Sequence, residues 1–365
     1  MRFAIENQFP RNPDDVTKKW ISNTIGKATG NEVSDIELIQ IGDEQGASAL
    51  VCRAKIVWRD AGNFPRALIL KFASSKAAHR EYAKSMGTYL KEVRFYQSIL
   101  SAASLPIPYV YFAEIDEASN HFLIVMEDLS GARMTRWFSE GVDDVEIAVT
   151  ALAEIHAKYW DDEVLSTLEW LGRSDDEDQC NQYKSLLEQL LPPAKTTFGN
   201  LLSGYSWAVL DAWLASWESV RLATSKGANT LVHREADMRQ MFFPTAFVDR
   251  FVLFDWQSPE IGWGAMDVCR LIATSLSLSA RRQHEDSLVK MYVDQLRKNG
   301  VTGFSEDILW QQIKLSLLMN VLAHLFSLLW VETEETDVWR HEHLGVLGAA
   351  LEDWKLLEVI DQLEC

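Results

Sequence analysis

Strand-like and helix-like patterning are segregated along this chain, and that segregation constrains the fold more than any single motif. Between Ile36 and Phe72 the runs IELIQI, SALVCRAKIVW and RALILKF are β-rich, and GDEQG and RDAGNFP between them are turn chemistry. A helix is expected from about Lys76 to Leu100, because Tyr89, Glu92, Tyr96 and Ile99 form one inward stripe at helical spacing. Two more strands follow, Tyr109 to Ile115 and His121 to Met126. After EDLSG strands nearly cease. Asp143 to Trp160 carries Val145, Val149, Leu152, Ile155 and Tyr159 on one face, and helices dominate the rest, interrupted by one strand pair near Leu231 and Phe251. An opening helix is expected after Asn12, with Pro13 in its first position and Asp14 and Asp15 near its positive end. The order implies an α+β chain of two lobes. Residues 1–129 form a small lobe on an antiparallel sheet, with a connector at 127–129, and residues 130–365 form a large, mainly helical lobe.

A chain of 365 residues with 47% hydrophobic and 24% charged residues has the balance of a globular protein and is long enough for two cores. Its net charge of −18 would repel polyanions, which argues against nucleic acid and anionic membrane as partners and leans toward a cationic small substrate. Cys52, Cys180, Cys269 and Cys365 are scattered, without the spacing of a zinc site, and read as reduced thiols of a cytoplasmic protein. The N-terminal stretch MRFAIENQFPRNPDD lacks the apolar core of a signal peptide. The longest apolar run, Leu315 to Val331, contains Asn320 and His324, both costly in lipid, and reads as a buried helix with His324 a satisfied core histidine.

Several polar residues sit where apolar pattern leaves no room for them. Lys71 lies inside the strand RALILKF and needs a counter-charge or a cleft. Glu92, on the inward stripe of the following helix, is the matching partner. Gly42 and Gly46 in IGDEQGASA would let the backbone approach phosphates, or serve a plain hairpin turn. The segment is not GxxxxGK[ST], so a Walker P-loop is excluded. Further on, LVHREADMRQMFF and FVLFDWQ are two apolar runs ending in polar residues. Asp255 there is a turn-former or a metal ligand, and Asp267 reads as a structural cap or loop clamp.

Lys71, the Glu92 helix, the connector VMEDL, the helix ALAEIHAKYW, the HxD-like loop and FDWQ occur in the order of a known family. Over Ile36 to Ile272 the sequence resembles the aminoglycoside, choline and ecdysteroid kinase-like phosphotransferases, which share the protein-kinase fold. The resemblance implies ATP-dependent (or GTP-dependent) phosphorylation of a hydroxyl on a small molecule. Lys71 would hold the α/β-phosphates, Glu92 would orient Lys71, Glu127, Asp128 and Leu129 would face the adenine, and Asp255 would bind Mg²⁺. The family pattern H-G-D-x-x-x-x-N places an Asp base and an Asn metal ligand where this chain has Glu235 and Gln240, each longer by one methylene. Asp237 and Arg239 would form an exchanged ion pair that preserves the loop's shape, or Asp237 would serve as a substitute base. The altered loop also admits an impaired nucleotide-binding or regulatory protein. The helical stretch Asp161 to Trp217 is expected to wall the acceptor pocket, with Trp207, Trp213 and Trp217 either packing between helices or facing a ligand.

Overall fold

The computed structural model describes residues 9–26, 30–41, 49–62, 64–99, 105–135, 137–139, 141–330 and 337–363. The chain divides into two compact units, Met1–Arg133 with Pro244–Ser258, and Met134–Phe243 with Pro259–Cys365. The first unit therefore includes a returning segment that carries Asp255, for which the single sequence boundary at 127–129 made no provision.

In the first unit, helix α1 (Lys18–Thr24) precedes strands β1 (Val33–Gln40), β2 (Ala49–Trp58) and β3 (Ala67–Ala73), then helices α2 (Ala77–Met86) and α3 (Thr88–Ile99) and strands β4 (Val110–Asp116) and β5 (His121–Glu127). The five strands form one antiparallel sheet in the order β1-β2-β3-β5-β4. Side chains alternate across it. Cys52, Ala54, Ile56, Leu68, Leu70, Phe72, Leu123 and Val125 enter a core closed by Val16, Ile21 and Ile25, so Lys71 projects from the opposite face. Two sequence expectations are corrected here. The opening helix is a single 3₁₀ turn at Pro13–Asp15, where Asn12 makes no side-chain cap, and α1 starts only at Thr17, whose hydroxyl accepts the Trp20 N–H. The long helix is broken at Gly87, which takes a left-handed conformation (φ 67°) and donates its N–H to the last turn of α2.

The second unit is built from α4 (Asp143–Lys158), α5 (Glu177–Phe198), α6 (Gly204–Ala215), α7 (Trp217–Thr224), α8 (Ala265–Ser275), α9 (Leu278–Lys298), α10 (Glu306–Trp330), α11 (Asp337–Asp353) and α12 (Leu356–Leu363). Three acidic residues open α4 and His156 and Lys158 close it, matching the helix dipole, and Val145, Val149, Leu152 and Ile155 are all buried. The strand containing Leu231 is Thr230–Val232. It pairs antiparallel with Glu260–Gly262, which runs parallel to Gly172–Arg173, so its partner is a strand beyond the Phe251 run. Cys52, Cys180 and Cys269 are buried free thiols.

Helix α10 is long and apolar enough to cross a bilayer, yet 61% of that window is buried inside the unit, against α5, α8, α9 and α11. Asn320 and His324 are hydrogen-bonded within it, whereas the Ser316 hydroxyl is buried without a hydrogen-bond partner among the described residues. Asn320 Nδ2 donates to Ser316 O (3.2 Å), and His324 Nδ1–H donates to Asn320 O (2.7 Å) while its ring stacks on His343 (5.3 Å, 19°). Burial, followed by the Arg270 and His343 charges, pushes the His324 pKa down to about 3. The fold thus prefers neutral His324, so this contribution is intact above the unfolded value of about 6.5 and is lost as pH falls toward 3. Between pH 7 and 5 the denaturation midpoint should therefore fall, with about 2 kcal/mol lost at this site. His324→Gln, which cannot take up a proton, should flatten that fall in paired thermal melts.

Candidate active site

Lys71 is the centre of a charge cluster assembled from three parts of the first unit. Strand β3 delivers its Nζ 2.8 Å from Glu92 Oε1 of α3 and 2.5 Å from Asp255 Oδ1 of the returning segment. The Glu92 residue is 1% exposed. Burial alone would lower the lysine pKa, but the Asp255 and Glu92 carboxylates outweigh it and raise the pKa above the ordinary lysine value. The Tyr96 hydroxyl is buried beside them without a hydrogen-bond partner among the described residues, and burial, then the Glu92 and Asp255 charges, push its pKa up. Lysine cation and two carboxylates together carry a net charge of minus one.

The position of Asp255 is held from outside the cluster. Its φ of 65° is left-handed, a strained conformation for a residue with a Cβ that costs about 1 kcal/mol or more. The next residue compensates. The Trp256 ring is fully buried, stacked on Phe95 of α3 (4.1 Å, 7°), with its Nε1–H donated to Leu253 O (3.1 Å). The same helix therefore positions Glu92 and anchors the Asp255 turn.

At the end of β5, Glu127 and Asp128 are engaged by arginines. Glu127 accepts the Tyr109 N–H (2.6 Å) and pairs with Arg250. Asp128 pairs with Arg53 (2.8 Å) and accepts the Ser130 N–H (2.9 Å), while Leu129 is buried. Gly42 and Gly46 lie outside the described residues.

In the second unit, Thr230–Val232 leads into the loop His233–Gln240. Asp267 clamps its start by accepting the His233 and Arg234 N–H groups, each at 2.7 Å. His156 Nε2–H donates to the same carboxylate (3.3 Å), leaving Nδ1 to accept from the Tyr292 hydroxyl (2.7 Å). Gly264 is required beside this chain, since a Cβ would lie 2.3 Å from the Tyr292 hydroxyl. Glu235 is half-buried, and its N–H donates to His233 Nδ1 (3.2 Å). Asp237, the candidate substitute base, is 3% exposed, contacts Arg270 (3.1 Å) and Arg239 (3.4 Å), and accepts the Arg239 N–H (3.0 Å). Burial would raise its pKa, but the two arginines and that N–H hold it well below the usual carboxylate range. A base should titrate near working pH, so Asp237 is placed as a loop clamp rather than a proton acceptor. Gln240 presents a buried Oε1 with no hydrogen-bond partner among the described residues.

The same unit contains a small, partly open pocket lined by Tyr183, Trp213, Trp217 and Trp263 with Arg221 and Arg234 among them. Trp213 and Trp217 stack (5.5 Å, 26°), so these two both pack and face the pocket. Arg53, Arg250, Arg270 and Trp256 were not singled out from the sequence. The signal available was their placement: Arg53 two residues past the strand partner of Lys71, Arg270 one helical turn past Asp267, and Trp256 beside Asp255.

Residues 44–301 match the sequence model of the ecdysteroid kinase-like family. Among curated proteins none matches at a significant level. Solved structures with the same fold include a choline/ethanolamine kinase family protein from Mesorhizobium loti (14% identity, TM-score 0.51, covering 90% of this chain and 92% of that one). Choline kinase from Streptococcus pneumoniae is another (16%, 0.52, 92% and 97%). A third is amicoumacin kinase in complex with AMP-PNP, Ca²⁺ and Ami (12%, 0.51, 87% and 88%). The fold is protein-kinase-like, a small antiparallel-sheet part followed by a helical part.

The cluster predicts a stability effect separable from any ligand. Lys71→Met leaves Glu92 and Asp255 as uncompensated neighbouring charges and should cost about 3 kcal/mol in urea denaturation. Adding Glu92→Gln should recover more than half of that loss.

Proposed function

This chain belongs to the ecdysteroid kinase-like family, and from that premise we propose that it transfers a phosphoryl group from a nucleoside triphosphate to a hydroxyl of a small molecule. The observation that carries this reading is Lys71 clasped between Glu92 and Asp255. Phosphoryl transfer asks a protein for positioning and charge neutralisation more than for covalent chemistry. A lysine fixed by a buried glutamate supplies a cation for the nucleotide phosphates. Asp255 supplies carboxylate oxygens of the kind Mg²⁺ takes, and the net negative cluster suits a divalent cation. Gln240, whose amide oxygen has no hydrogen-bond partner among the described residues, occupies the second-metal position of the family pattern. Bound with the nucleotide, Mg²⁺ would neutralise charge on the phosphates. Glu235, half-buried at the base position of the loop, would accept the proton of the acceptor hydroxyl on its carboxylate. Asp267 and Asp237 hold the backbone that presents Glu235 and Gln240.

The aromatic and aliphatic lining of the second-unit pocket supports a largely apolar alcohol as acceptor. Arg221 and Arg234 are the ionised side chains in its lining, which favours a neutral acceptor over the cation suggested by net charge alone. The extra methylene in both Glu235 and Gln240 favours a second reading, a nucleotide-binding protein with little turnover, because a displacement of about 1 Å can cost on the order of a hundredfold in rate.

Two measurements separate these readings. Asp255→Asn should abolish Mg²⁺-dependent nucleotide binding by calorimetry; equal affinity in variant and parent would remove Asp255 from the metal site. Glu235→Asp combined with Gln240→Asn should raise turnover about tenfold to a hundredfold, more than the product of the single effects. A parent that turns over briskly, with a slower double variant, would show a site adapted to the longer side chains and would end the low-turnover reading.

A further inference from the structure

The sheet face that carries Lys71 also carries a charged pair that phosphoryl transfer does not use. Because Cys52, Ala54, Leu68 and Leu70 enter the core, Val51, Arg53, Ile69 and Lys71 project from the other face. The register sets Val51 opposite Lys71, Arg53 opposite Ile69, and Ile69 opposite Met126 of β5. The Arg53–Ile69–Met126 row is two residues from the Lys71 row, about 7 Å along the strand. With phosphates on Lys71, that row lies where a nucleotide reaches across its ribose to the base.

Asp128 fixes Arg53 in that row. Nε lies 2.8 Å from Oδ2 and Nη2 lies 3.4 Å from Oδ1. The closer contact is one of charge rather than an aligned hydrogen bond, since Nε is buried without a hydrogen-bond partner. The Asp128 side chain is 9% exposed and also accepts the Ser130 N–H, so its oxygens are occupied. What remains is the outer guanidinium edge, a planar set of N–H donors fixed from behind.

Such an edge distinguishes purines. Guanine offers two acceptors, O6 and N7, side by side, whereas adenine pairs N7 with a donor amino group that would meet the guanidinium donor to donor. We propose that Arg53, held by Asp128, makes the nucleotide site prefer guanosine over adenosine triphosphate, a preference that presupposes the nucleotide-binding role given to Lys71. Lysine cannot replace it, having a point charge rather than a planar fork.

The test is calorimetric titration of the full chain with the β,γ-imido analogues of GTP and ATP in Mg²⁺. The GTP analogue should bind about tenfold tighter or more. Arg53→Met should bring the two analogues within about twofold by weakening the guanine nucleotide, and Arg53→Lys should lose the preference as well while keeping a charge opposite Asp128. An ATP analogue that binds the parent as tightly or tighter overturns the purine assignment and leaves the nucleotide site standing. A guanine preference that survives both substitutions, or an equal loss of both analogues, overturns the role of Arg53. If neither analogue binds the parent, the nucleotide-binding reading falls and the purine assignment with it.

Discussion

The ion pair between Lys71 and Glu92 organises the first unit. A lysine in the middle of a strand whose neighbours are buried cannot face the core, so it commits β3 to one side-chain alternation. That alternation decides which residues of β2 and β5 enter the core and which line the opposite face. Glu92, nearly inaccessible on α3, meets the lysine and fixes the helix against the sheet. Asp255 completes the cluster at the cost of a left-handed backbone, and the Trp256–Phe95 stack holds it there. Sheet, helix and returning segment thus converge on one ammonium group.

The second unit treats its carboxylates differently. Asp267 and Asp237 are buried and saturated, the first by backbone N–H groups and His156, the second by two arginines. Both shape the loop His233–Gln240 and neither is free to exchange a proton. Glu235 is less buried than either, and the Gln240 amide oxygen has no hydrogen-bond partner among the described residues. The division follows from charge balance. A carboxylate with buried cations on two sides stays ionised and is unsuited to accept a proton near neutral pH.

The pocket of the second unit refines an inference that composition had suggested. A net charge of −18 describes the whole surface, whereas recognition depends on the few groups that line a cavity. Here those groups are tryptophans, a tyrosine and two arginines, each arginine matched by a carboxylate outside the lining, Glu218 for Arg221 and Glu260 for Arg234. The local field departs from the global one because the acidic residues are distributed over the surface and the pocket wall is not.

The places of the strands along the chain and the inward faces of two helices were legible in the sequence because they rest on local periodicity. The five sheet strands, the inward stripe of Tyr89, Glu92, Tyr96 and Ile99, and the buried face of α4 all follow from spacing along the chain. The Lys71–Glu92 pair was legible for a related reason, since each is a polar residue on an otherwise buried face. Where the sequence reading failed, a backbone choice or a distant partner decided. Gly87 broke a helix by adopting a left-handed conformation that periodicity does not register. The strand at Leu231 paired with Glu260–Gly262 because short strands carry too little pattern to name their partner. Asp237 was open between a loop-shaping partner of Arg239 and a substitute base, and Arg270, thirty-three residues on, decides for the first. Arg53 and Asp128, seventy-five residues apart, were likewise brought together only by the sheet. Residue type and spacing determined which groups could act. Which of them are neutralised, and which face an open site, depends on partners remote in sequence, and only tertiary structure supplies those.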